Sequence, residues 1–99
     1  MTEKSGLKIV VSFKKDNTAG NVPEICATVK LIRADTFWLG DLMKNAVGMS
    51  QSSIGKCFPT SAEAEQWASV VVEKIRVEYA ATKARFDAVE TPDDYEVYE

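Results

Sequence analysis

At 99 residues the chain has the length of one domain, and its hydrophobic content of 45% argues for a packed core over disorder. The formal net charge of −3 is unevenly spread: residues 90–99 hold five acids and no base, which leaves ten acids against twelve bases in residues 1–89, a body of +2. There is no histidine, so the commonest general base and metal ligand is missing, and Ser-His-Asp and Cys-His nucleophile systems are excluded within the chain.

Residues 1–6 are polar, lack the apolar core of a signal peptide, and are expected to form a disordered lead. No apolar run is long enough to cross a bilayer, so the expectation is a cytoplasmic protein. Residues 7–14 alternate as a strand, with Leu7, Ile9, Val11 and Phe13 on one face and Lys8, Val10, Ser12 and Lys14 on the other. Turn residues Asp16, Asn17, Gly20, Asn21 and Pro23 mark a loop over 15–23. Residues 24–33 form a second strand, with Ile25, Ala27, Val29 and Leu31 on its apolar face. The two strands pair most simply as an antiparallel hairpin with a long tip.

Residues 34–49 admit two readings. A helix capped by Asp35 or Thr36 would align Phe37, Leu39, Leu42, Met43, Ala46 and Val47. The alternative, a strand over 36–39 and then a short helix over 41–46, is preferred slightly because Phe37 and Trp38 suit strands. Gly48 ends the helix in either case. Residues 54–58 read as a short strand in which Gly55 marks a bulge or an edge. Cys26 and Cys57 lie in the two apolar stretches and are expected as buried thiols, with a disulfide only if their strands are neighbours.

The long helix over 60–89 organises the rest. Thr60 followed by Glu63 is a capping-box pattern, and Pro92 stops the helix. At 100° per residue a wide apolar stripe collects Ala64, Trp67, Ala68, Val71, Val72, Ile75, Tyr79, Thr82, Phe86 and Val89 and should face the core. A second, narrower stripe collects Val70, Val77, Ala81, Ala84 and Ala88 at near-heptad spacing. Such a helix is about 42 Å long, too long for a small sheet to cover along its whole length, so its C-terminal half projects, kinks or is covered by a second chain. A helix–helix homodimer is the first form of partner expected, set against the plain reading that Ala is a good surface helix former.

The element order ββ(β/α)βα gives an α+β fold: an antiparallel sheet of three or four strands packed on one C-terminal helix, a single domain over 7–89, and an acidic tail over 90–99. The chemistry is sparse. Two isolated cysteines do not make a thiolate zinc site, so no metal or cofactor is expected. Asp35 and Asp41 flank Trp38, but capping and solvation explain them better than acid–base catalysis. Residues 48–56 lack the glycine spacing of a phosphate-binding loop and are followed by a strand where that motif needs a helix.

A basic sheet face with Lys8, Lys14, Lys15, Lys30 and Arg33, and Trp38 for stacking, would suit single-stranded nucleic acid. The sequence pI of about 5.0 argues against it. In the tail, Asp93, Asp94, Tyr95, Glu96 and Tyr98 alternate acid and aromatic, which suits docking on a sheet edge or a basic patch; the plain reading is a solubilising tail. The sequence therefore points to a small non-enzymatic protein-binding module, homodimeric, acting as an adaptor or inhibitor through a helix face and the tail. Phage- or mobile-element-encoded inhibitors of host enzymes share this make-up, as an analogy of type. Single-stranded nucleic-acid binding is the alternative.

Overall fold

The structure is a computed structural model that describes residues 6–17 and 20–99. Its elements are β1 (Leu7–Asn17), β2 (Pro23–Ala34), α1 (Leu39–Val47), β3 (Ser53–Phe58) and α2 (Ser61–Ala88). The strands form one antiparallel sheet in the order β1-β2-β3, so the class is α+β with three strands. Most of the lead over 1–6 lies outside the described residues. Gly6 is described, and its carbonyl accepts the Asp35 N–H at 2.9 Å, which ties it to the end of the sheet.

Alternation along β2 builds the core. Ala27, Val29, Leu31 and Ala34 are buried beneath Leu42 and Met43 of α1 and Ala64, Ala68, Val71 and Ile75 of α2. Leu7, Ile9 and Val11 of β1 pack at its margin. The expected loop over 15–23 is shorter, because Lys15, Asp16 and Asn17 pair with Ile25, Glu24 and Pro23. Continuing the ladder satisfies more backbone groups than turning early, and it overrides the turn preference of Asp16 and Asn17. A register shift between Lys8 and Ile9 leaves Ile32 bulged, with Arg33 opposite Lys8 on the outer face of the sheet.

The preferred strand over 36–39 does not form. Asp35 has a φ of 54°, which turns the chain out of β2, and only an isolated bridge joins Ala34 to Thr36. Phe37 then packs on α2, its ring centroid 6.1 Å from Tyr79 and 5.6 Å from Phe86. Tertiary burial of this aromatic outweighs its strand preference. Helix α1 starts after Trp38, which offers no side-chain cap, and ends as expected at Gly48, whose φ of 84° and N–H bond to the Lys44 carbonyl close the helix.

One expectation for β3 is met and one is corrected. Gly55 marks an edge strand without a bulge; a Cβ there would lie 3.2 Å from the Ala27 carbonyl oxygen and 3.3 Å from Thr28 Oγ1. The glycine thus serves close approach to β2. The cysteines are not buried thiols: β2–β3 register sets Cys26 opposite Cys57, and the two form a disulfide on the outer face, with Cys57 exposed. Ala27, one step away in sequence, takes the core side instead.

In α2 the Thr60 hydroxyl oxygen accepts the Glu63 N–H at 3.2 Å, as the capping pattern predicts. The Glu63 carboxylate accepts from the Thr60 hydroxyl and not from its backbone. The helix starts at the far end of the hairpin and runs back towards Asp35, antiparallel to β1. Among the described residues no helix is long and apolar enough to cross a membrane.

Candidate functional site

The wide stripe of α2 behaves as core only for part of its length. Ala64, Ala68, Val71 and Ile75 are buried, and Tyr79 and Thr82 are half-buried, but from Lys83 onward every residue is exposed. Phe86 is 63% and Val89 75% exposed although both belong to the core-facing stripe. The second stripe is open to solvent over most of its length: Val70 is 42% and Val77 58% exposed, Ala84 and Ala88 are exposed, and Ala81 is half-buried. The last turns of the helix therefore carry apolar surface on two sides.

Beside Phe86 lies a groove of about 410 Å³ between α1 and α2. Phe37, Leu42 and Phe86 supply its apolar lining, and Trp38, 81% exposed, stands at its mouth. Asp41, Asn45, Thr82 and Arg85 supply its polar groups. Glu78 organises these, accepting from Asn45 Nδ2 at 3.4 Å, Thr82 Oγ1 at 3.3 Å and Arg85 Nη2 at 3.5 Å. The groove thus combines aromatic and polar lining in nearly equal parts, with Asn45, Thr82 and Arg85 fixed by hydrogen bonds. This groove escapes the sequence reading, which assigns Trp38 to a sheet face and Phe86 to the core. The available signal was a large aromatic in the last turns of a helix too long for its sheet.

The tail over 90–99 is exposed throughout, with Tyr95 and Tyr98 each 85% and Val97 70% exposed. The Tyr98 hydroxyl donates to the Glu96 carboxylate, which pushes the tyrosine above its ordinary pKa of 10.0. Asp93, Asp94, Glu96 and Glu99 surround these apolar groups with negative charge.

The residues of the alternative nucleic-acid face divide. Lys8, Lys14, Lys30 and Arg33 share the outer face of the sheet with Ser12, Thr28, Ser53 and the disulfide. Lys15 falls on the helix side beside Phe13, Ile25 and Glu65, and Trp38 stands just before α1, away from the sheet face. The outer face carries no aromatic side chain among the described residues, so it offers phosphate charge without a stacking platform.

Asp35 and Asp41 have separate surroundings. Asp41 lines the groove, whereas Asp35 accepts the Tyr79 hydroxyl at 2.7 Å and lies 4.0 Å from Lys83 Nζ. That hydrogen bond, followed by burial and by the charges of Asp35 and Asp87, raises Tyr79 above its ordinary pKa of 10.0 and keeps it a donor at neutral pH. Among the described residues no three Cys, Asp or Glu side chains are grouped to hold a metal ion. Comparison with known proteins finds no match, whether to a family model, to a curated protein or to a solved structure.

Proposed function

We propose that this chain is a small non-enzymatic protein-binding module that self-associates through α2 and acts on partner proteins as an adaptor or inhibitor. The observation that supports this best is the uncovered second stripe of α2, with Val70 42% and Val77 58% exposed on one side of the helix. Monomeric proteins keep contiguous apolar patches small, and larger ones mark interaction sites. The stripe of Val70, Val77, Ala81, Ala84 and Ala88 has the spacing of a helix–helix seam, and its alanines let a second backbone approach closely. The aromatic groove beside it is left for the partner. The disulfide fits an oxidising compartment; in the reducing cytoplasm the same pair would stand as thiols.

Val77→Glu tests the seam. The residue is exposed in the single chain, so the variant folds, and a carboxylate placed against a second apolar helix disfavours association. The expected result is a folded monomer by sedimentation, with unchanged helical content, at concentrations where the wild type is a dimer. Equal masses for the two proteins would reject the seam.

A further inference from the structure

The Cys26–Cys57 disulfide lies on the open face of the sheet, away from α2. Strand register sets Lys14, Cys26 and Cys57 in one row across β1, β2 and β3. Directly opposite side chains on one face stand about 5 Å apart at Cβ, so the long Lys14 side chain brings its ammonium within reach of the Cys26 sulfur. The next row towards the hairpin tip holds Asp16 and Glu24, which lie only diagonal to that sulfur. The row on the other side is Ser12, Thr28 and Gly55.

The two sulfurs are not equivalent. Cys26 belongs to the central strand and is half-buried, whereas Cys57 belongs to an edge strand and is exposed. Gly55 is the preceding residue of β3 on the same face and has no side chain to screen Cys57. Thiol–disulfide exchange needs the attacking sulfur to approach along the extension of the S–S bond, and its rate depends on access and on the leaving thiolate. The bond joins opposite residues of β2 and β3. Beyond Cys57 its extension leaves the sheet at the edge, where the described residues place no further strand. Beyond Cys26 it meets β1 and Lys14.

We propose that Cys57 is a thiol-exchange site, attacked in the folded chain by a low-molecular-weight thiolate, with Cys26 as the leaving sulfur. The lone pair of the incoming thiolate forms a new S–S bond to Cys57. The Cys26–Cys57 bond breaks, and its electron pair stays on Cys26 as a thiolate beside the Lys14 ammonium, which stabilises it. The product is a mixed disulfide at Cys57 and a free thiol at Cys26. One disulfide has replaced another, so no further oxidant is consumed. The step reverses when Cys26 attacks Cys57 and expels the small thiol. Strand β3 keeps its backbone pairing to β2 throughout, because neither sulfur belongs to the core.

The test treats the oxidised full chain with 2-mercaptoethanol, a neutral probe, quenches with acid and maps the adduct by peptide mass spectrometry. The expected result is an adduct on Cys57 and a rate of disulfide loss that rises in proportion to thiol concentration, since no opening step comes first. Lys14 is exposed and outside the core, so Lys14→Glu folds. That variant should react about fivefold or more slowly at low salt, with the gap narrowing as salt rises. A rate that levels off at the rate of global unfolding, an adduct on Cys26, or equal rates for wild type and Lys14→Glu would each overturn the proposal. Two free thiols in a chain purified without reductant would overturn it as well. None of these readouts depends on the α2 seam.

Discussion

Asp35 joins the sheet, the turn and the long helix at one point. Its N–H bonds to the Gly6 carbonyl, its left-handed backbone at φ 54° redirects the chain, and its carboxylate holds the Tyr79 hydroxyl. A non-glycine residue keeps such a backbone only when neighbours fix it, and here those neighbours are β1 and α2. Tyr79→Phe should cost about 1 kcal/mol, since the bond sits in partly solvated surroundings. Its pH dependence follows from the raised pKa. A proton held more tightly in the folded state contributes stability that is fully present below the unfolded value of 10.0 and is lost as pH rises through the higher folded value. Wild type and Tyr79→Phe should therefore differ by a constant amount from neutral pH to about pH 10 and converge above it, as read by denaturant unfolding. A difference that grew above pH 10 would contradict this role for Tyr79.

Among the elements, β3 and α2 depend on different kinds of support. Strand β3 is six residues at the sheet edge, tied to β2 by Cys26–Cys57 across a separation of 31 residues. Closing a loop of that size stabilises by about 3–4 kcal/mol on the chain-entropy account. Cys26→Ser with Cys57→Ser should lower unfolding free energy by about that amount while keeping the fold, because neither sulfur belongs to the core. An unchanged midpoint would show that the bond is not formed in solution. Helix α2 was legible in the sequence because its signals are local: the Thr60–Glu63 cap, the absence of Gly and Pro, and the 3.6-residue period. Strand alternation in β1 and β2 was legible for the same reason. What was not legible depended on distant partners. Phe37 and Trp38 read as strand residues until Tyr79 and Phe86 come alongside, and the cysteine pair follows from β2–β3 register. The helix wheel assigns Phe86 and Val89 to the core side, but both are exposed and α2 ends at Ala88, because the wheel cannot say where the covering layer ends.

At the scale of the molecule the chain is elongated, 79 × 29 × 17 Å with a radius of gyration of 19.0 Å, against about 13 Å for a compact chain of this length. The excess length lies at the C-terminal end of α2 and in the tail, where apolar side chains stand in solvent and negative charge collects. An antiparallel pairing of α2 with a second copy would cover Val70 and Val77. All of this depends on whether the exposed face of α2 is shared between copies. Solution mass by light scattering over a range of concentrations answers that directly. The expected result is a species of twice 10.9 kDa that dissociates on dilution. A mass of 10.9 kDa at every concentration would contradict it.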